Sequence, residues 1–234
     1  MKPIVGIFQS TDKDIFMKIV NKIKNLYKYL IRGNKATSIT YERYLRKIGV
    51  KIGDGCVFHD PATTFIDNDK PYMIEIGNNV HITRNCTIVA HGYDWIVLKN
   101  YYNENYGSAG KIVIGNNVFL GMGTTVLKDV TIGNNVIIGA GSLVTEDIES
   151  ECVAVGRPAR KVMTLEEYRE KRRNLCLQEA ANSYREMCKK GILINIKDWE
   201  FSWIYDKKTK NHVFDNFEEF LSYIENESDR NEEP

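Results

Sequence analysis

The stretch KIVIGNNVFLGMGTTVLKDVTIGNNVIIGAGSLVT, residues 111–145, returns an aliphatic residue at every sixth position: Ile114, Leu120, Val126, Ile132, Ile138 and Val144. Upstream the same step is met at Ile76, Ile82 and Ile88. Glycine follows at 77, 115, 133 and 139 and again at 121, and small or β-branched residues stand four places on, at Val80, Val118, Thr124, Val130, Val136 and Ser142. A step of six fits neither the period of a helix nor the alternation of a long strand. It suits a short strand followed by a tight corner, three of which close a triangular coil whose aliphatic residues point inward and stack on the next coil. A β-sandwich has no reason to keep so fixed a step. The recurring Ile-Gly-Asn-Asn at 76, 114 and 132 supplies residue types that accept corner conformations. An earlier coil is legible from Val50 through Cys56 to Phe58, with an interruption around residues 67–72. The fold class expected is an all-β core, a parallel β-helix with helical flanks at both ends.

Three segments follow: an N-terminal helical segment over 1–50, the β-helix over 51–162 with an inserted loop at 93–111, and a C-terminal helix with a small appendage over 163–234. Residues 12–31 read as an amphipathic helix, with Ile15, Phe16, Ile19, Val20, Ile23, Leu26, Tyr27 and Leu30 on one side and lysines on the other. A shorter helix follows over 38–47, with Ser38 as its cap, and a third runs over 164–189, where Thr164 and Glu167 have the spacing of a capping box. After Gly191 the chain carries Ile-Leu-Ile-Asn-Ile and the aromatic residues Trp199, Phe201 and Trp203, and it ends in a polar tail from Glu225.

With 43% hydrophobic and 27% charged residues over 234 positions, the composition is that of an ordinary globular protein. No apolar run is long enough to cross a bilayer and the first ten residues lack the features of a secretory signal, so a cytoplasmic location is expected. The five cysteines, Cys56, Cys86, Cys152, Cys176 and Cys188, have neither zinc nor redox spacing and read as reduced structural thiols. No metal site is expected. The net charge of +1 conceals a basic first fifty residues and an acidic tail, and neither is patterned for nucleic acid. The basic N-terminal helix could lie on an anionic membrane, though packing over the open end of the coil is the plainer role.

Over residues 51–163 the sequence resembles the hexapeptide-repeat acyltransferases, and within them the capsule and lipopolysaccharide O-acetyltransferases. The segments that carry the resemblance are IEIGNNVHIT (74–83), TIVAHGYDW (87–95), GKIVIGNNVFLG (110–121), IIGAGSLVT (137–145) and the closing VGRPARKV (155–162). The resemblance implies a left-handed β-helix, a homotrimer, and acetyl-CoA as co-substrate in a groove between neighbouring subunits. It also implies His91 as catalytic base, Phe119 as an aromatic wall, and Gly121, Met122, Ala140, Thr145 and Arg160 along the bound CoA. Departures from the family's usual pattern are Gly92 directly after the histidine, Glu146 where a basic residue commonly stands, and Met163.

The residues bear this chemistry out on their own terms. Transfer of an acyl group from a thioester to a hydroxyl needs a base for the hydroxyl proton. Histidine suits that task, since an imidazole ordinarily titrates at about 6.5. His91 stands where the repeat breaks, and a carboxylate to orient its other nitrogen is available in Asp94 or Asp67. His81, at a corner, is a lesser alternative as base. Backbone N–H groups at a corner could hold the oxyanion. The loop residues Trp95, Tyr101 and Tyr102 suit a sugar face, or equally the surface of a neighbouring subunit. Arg157, Arg160 and Lys161 cluster at the exit and could meet the CoA phosphates.

The reading reached from sequence is O-acetylation of a sugar hydroxyl in a surface polysaccharide or its precursor. N-acetylation of an amino sugar nucleotide, or acetylation of another small acceptor, is the alternative enzyme. A non-catalytic β-helix scaffold is the alternative from another class.

Overall fold

The structure, a computed structural model, describes Val20, Tyr27, residues 30–191 and Ser222. It divides into two compact units, Met1–Glu166 and Glu167–Pro234. Among the described residues no helix is long and apolar enough to cross a membrane. Most of the expected N-terminal helix, its proposed membrane contact, and the aromatic appendage after Gly191 lie outside the described residues.

Helix α1, Ser38–Ile48, covers the open end of the coil by burying Tyr41 and Leu45, and Tyr41 meets the ring of Phe58 edge-on at 5.2 Å. Its cap is Thr37 rather than the expected Ser38. The Thr37 hydroxyl accepts from Thr40 N at 3.2 Å while the Thr40 hydroxyl accepts from Thr37 N at 3.0 Å, a reciprocal box that Ser38 cannot form. The Ser38 hydroxyl instead accepts from Phe58 N at 2.9 Å and ties the helix to the first coil.

Four coils follow, each with three short strands. The first comprises β1 (Lys51–Ile52), β2 (Val57–Phe58) and β3 (Phe65–Ile66); the second β4 (Ile74–Ile76), β5 (His81–Ile82) and β6 (Thr87–Ile88). A short hairpin, β7 (His91–Gly92) and β8 (Ser108–Ala109), brackets the inserted segment. The third coil comprises β9 (Ile112–Ile114), β10 (Val118–Leu120) and β11 (Thr125–Val126), and the fourth β12 (Val130–Ile132), β13 (Val136–Ile138) and β14 (Leu143–Val144). All pairing between coils is parallel, in three sheets that form the faces of the left-handed β-helix: β1-β4-β9-β12, β2-β5-β10-β13 and β3-β6-β11-β14. The sixfold aliphatic residues form the interior, with Ile82, Ile88, Ile114, Leu120, Val126, Ile132, Ile138 and Val144 at most 1% exposed.

At the recurring Ile-Gly-Asn-Asn corner each residue has a separate duty. The left-handed backbone falls on the second asparagine, with φ of 54° at Asn79, 55° at Asn117 and 57° at Asn135, and not on the glycine. The glycine is required by crowding: a Cβ on Gly77 would stand 2.6 Å from Gly115 O, and one on Gly115 the same distance from Gly133 O. The first asparagines form a ladder between coils, Asn78 N donating to Asn116 Oδ1 at 2.8 Å and Asn116 N to Asn134 Oδ1 at 2.7 Å.

One expectation needs correction. Residues 93–111 are not a plain loop, because they contain helix α2, Trp95–Tyr102, and close as the β7-β8 hairpin. Beyond the fourth coil, Pro158 lies in the turn of an antiparallel pair, β15 (Cys152–Gly156) with β16 (Ala159–Thr164), that extends the second sheet. The long helix α3, Leu165–Lys189, then begins directly after Thr164 and buries Ala180 and Ala181. Cys56, Cys86 and Cys152 are buried free thiols, pushed up in pKa by burial, and Cys176 is half-buried and free.

Candidate active site

Asp67 directly follows β3, at the interruption of the first coil. Its Oδ1 accepts the backbone N–H of Asp69 at 2.8 Å and of Lys70 at 3.2 Å, so a short acceptor side chain shapes its own turn. The pairing of β3 with β6 sets Phe65 beside Thr87 and Ile66 beside Ile88, which leaves Asp67 next to the end of β6. From there Oδ2 accepts Ala90 N at 2.9 Å and the Nδ1 proton of His91. The Asp67 side chain is 1% exposed. Burial pushes its carboxyl up, but the bonds from His91, Asp69, Ala90 and Lys70 outweigh this and hold it below the usual carboxylate range.

An acceptor-only carboxylate at Nδ1 holds a proton there, so that in the neutral imidazole the lone pair falls on Nε2. Nε2 is buried and has no hydrogen-bond partner among the described residues; Asp69 Oδ2 stands 3.5 Å from it. The Tyr93 ring meets the imidazole edge-on at 4.8 Å, and its hydroxyl donates to Asp69 Oδ2 at 2.6 Å, a bond that pushes the phenol up. Beside them opens a groove of about 470 Å³ lined by Asp69, Lys70, His91, Tyr93, Trp95 and Ser108 among others. Ligand atoms of Asp67, Asp69 and His91 lie within 4.8 Å of one another, a spacing that a cation could bridge. Both Asp67 oxygens are already occupied by N–H donors, however.

The two carboxylates expected near His91 fare differently. Asp67 holds it, whereas Asp94 sits at the N-terminal cap position of α2, beside Gly92, and makes no hydrogen bond or ion pair with His91. Of the three loop aromatics, Trp95 lines the groove. Tyr101 and Tyr102 stand exposed at the end of α2, packed edge to face on each other at 4.6 Å. Asp69 and Tyr93 were not picked out from sequence. The signal was the turn-forming Asp-Asn-Asp-Lys at 67–70, set at the interruption one coil before His91.

The residues expected along CoA lie elsewhere. Phe119 is 41% exposed on β10, between His81 and Ile137 on the neighbouring strands, and lines a groove of about 270 Å³ with them and Leu165. Gly121 is buried against the backbone of Ala140 one coil on, and Met122 is exposed. Thr145 is half-buried at the end of β14. Arg160 pairs with Glu146 at 2.6 Å and Lys161 with Glu149 at 2.5 Å, and neither lines the His91 groove. His81 shares a hydrogen bond of 3.1 Å with His59, the residue directly after β2, so its ring is already engaged.

Residues 111–146 match the family described as bacterial transferase hexapeptide, six repeats. Protein CapG of Staphylococcus aureus is 39% identical over 151 residues, which cover 64% of this chain and 83% of CapG. The chain belongs to the hexapeptide-repeat transferases. Among solved structures, a maltose O-acetyltransferase from Clostridium difficile 630 is 25% identical, with coverage of 61% of this chain and 84% of that one and a TM-score of 0.41. A hexapeptide-repeat containing acetyltransferase from Vibrio cholerae is 18% identical with coverage of 60% and 88% and a TM-score of 0.45. The serine acetyltransferase of soybean is 30% identical over 49% of this chain, which spans only 40% of that enzyme, at a TM-score of 0.38.

Proposed function

We propose that this hexapeptide-repeat transferase moves an acetyl group from acetyl-CoA to a sugar hydroxyl of a surface polysaccharide or its precursor, with His91 as general base and Asp67 as the residue that orients it. The observation that carries the reading is the imidazole itself. Nδ1 is anchored on a buried carboxylate while Nε2 is left without a partner at the edge of the groove.

In the reaction Nε2 removes the proton of the acceptor hydroxyl as its oxygen attacks the thioester carbonyl. The new C–O bond forms, the C–S bond breaks, and the departing thiolate regains the proton from Nε2. Asp67 keeps the ring in place and balances the imidazolium that forms between the two transfers.

CoA would lie along Phe119, Gly121, Met122, Ala140 and Thr145, with Arg160 and Lys161 toward its phosphates once they exchange Glu146 and Glu149 for them. The working form is a cytoplasmic homotrimer with sites between subunits. Helix α2, which has no buried residue, and the exposed Phe119 and Met122 support a partner surface there.

The test is thiol release from acetyl-CoA with sugar hydroxyl and amino-sugar acceptors, in wild type and His91→Ala, alongside light scattering. Release that needs a hydroxyl acceptor, is lost in the variant and comes from a trimer is expected. Turnover with amino acceptors alone would replace this reading by N-acetylation, and absence of both turnover and CoA binding by a scaffold.

A further inference from the structure

The groove side of His91 sets two acceptors side by side. In the neutral ring, with its proton on Nδ1, Nε2 presents a lone pair, and the Asp69 oxygen 3.5 Å away, which already accepts the Tyr93 hydroxyl, presents only lone pairs as well. Such atoms repel unless a molecule with donor groups lies against both. Asp69 is also not free to turn away. Its backbone N–H is held by Asp67 Oδ1 at 2.8 Å, and its carboxylate receives the Tyr93 hydroxyl at 2.6 Å, while the Tyr93 ring rests against the imidazole. One residue is thus tied through its backbone to the orienting carboxylate and through its side chain to the wall of the groove. Its side chain remains 61% exposed toward solvent, with further lone pairs available.

From this we infer that Asp69 selects the acceptor: it takes a hydrogen bond from a second hydroxyl on the carbon next to the one being acetylated, so that the acceptor is a vicinal diol. The inference rests on the function proposed above. Neighbouring hydroxyls of a sugar ring are close enough in space to donate to two acceptors at 3.5 Å, one to Nε2 and one to the carboxylate. A carboxylate at the neighbouring position of the acceptor would be repelled, and a methylene there would leave Asp69 facing Nε2 unrelieved. Tyr93 is the positioning residue, holding Asp69 by its hydroxyl while its ring rests against His91.

The experiment measures initial rates of thiol release from acetyl-CoA with the methyl glycosides of glucose, galactose and mannose and with their monodeoxy analogues, in wild type, Asp69→Ala, Asp69→Asn, Tyr93→Phe and His91→Ala. For the preferred sugar, removal of one neighbouring hydroxyl lowers kcat/KM of the wild type by about tenfold to a hundredfold, the range of a hydrogen bond to a charged group. Asp69→Ala lowers it by the same factor with the intact sugar, and the two losses do not multiply when combined. Asp69→Asn, which keeps an acceptor oxygen, recovers part of the loss. Tyr93→Phe loses less in the same direction, and KM for acetyl-CoA does not move in any Asp69 or Tyr93 variant. Losses that multiply, or an Asp69→Ala protein that discriminates against the deoxy sugar as the wild type does, overturn the inference and leave His91-dependent transfer standing. Thiol release no greater than that of His91→Ala with every sugar overturns the proposed function, and this inference with it.

Discussion

Replacing Asp67 by Asn tests the site at its root, because the two side chains have the same shape and differ in one donor. Asp67 accepts four hydrogen bonds, from Asp69 N and Lys70 N on Oδ1 and from Ala90 N and His91 Nδ1 on Oδ2. An Asn amide offers an oxygen for one pair only. Placing its NH₂ on the Oδ1 side leaves two backbone N–H groups facing a donor; placing it on the Oδ2 side leaves only Ala90 N facing one, provided that His91 Nδ1 becomes an acceptor. The second arrangement costs less, and it moves the ring proton to Nε2, the atom proposed as the base. The expected loss in kcat is about a hundredfold to ten-thousandfold, the usual contribution of a positioned general base, or roughly 3–5 kcal/mol of barrier. The stranded Ala90 N–H lowers folding stability by about 1–3 kcal/mol. Since the Asp67 carboxyl is held below its unfolded value, its stabilising effect is complete above the ordinary carboxylate range near pH 4 and is lost as pH falls through the lower folded value. Stability measured by urea unfolding across pH should therefore fall less steeply on the acid side in Asp67→Asn than in wild type. Activity is read by thiol release. A variant whose kcat stays within about threefold of wild type, while His91→Ala is inactive, would refute the tautomer argument.

Ile114→Ala removes a side chain that is 1% exposed at the centre of the stack, and should lower unfolding stability in urea by about 2–5 kcal/mol. Gly115→Ala brings a Cβ within 2.6 Å of Gly133 O and should destabilise the coil more than Asn117→Gly, whose φ of 55° glycine adopts without strain; thermal melts of the pair give the order. Arg160→Ala should raise KM for acetyl-CoA about tenfold while changing stability by less than about 1 kcal/mol, since its ion pair with Glu146 is half exposed. An unchanged KM there would remove Arg160 from the CoA path.

The interior of the coil could be read in advance because a sixfold step has one geometric meaning, and each of its residues answers to the same position in the next coil. The corners were read less well. Glycine is the usual candidate for a left-handed backbone, yet here crowding by the carbonyl of the next coil claims the glycine, and Asn79, Asn117 and Asn135 take the positive φ. Thr37 and Ser38 are adjacent hydroxyls with equal claim to a cap, and only the reciprocal bond from Thr40 decides between them. Helix α2 has apolar residues on every side, Trp-Ile-Val-Leu followed by Tyr-Tyr, and so shows no stripe by which a helix is recognised. Within the candidate site, His91 could be singled out by its place at the break in the repeat. Choosing between Asp67 and Asp94 needed the register of β3 on β6, and that first coil carries the weakest repeat in the chain. Asp69 meets His91 only through that stacking and through the turn that Asp67 folds around itself.

The asparagine ladder bears on how such a chain can change over evolutionary time. Asn116 and Asn134 are 18 residues apart, whereas Asn78 and Asn116 are 38 apart, and yet the rung between the latter pair is as well made, 2.8 Å against 2.7 Å. The extra residues leave and re-enter the wall at β7 and β8 without disturbing the sheets above and below. The fold therefore lets this excursion be lengthened, shortened or exchanged, and with it the wall of the groove beside His91, while the prism keeps its pairing. Diversification of what is modified is decoupled from maintenance of the scaffold that modifies it.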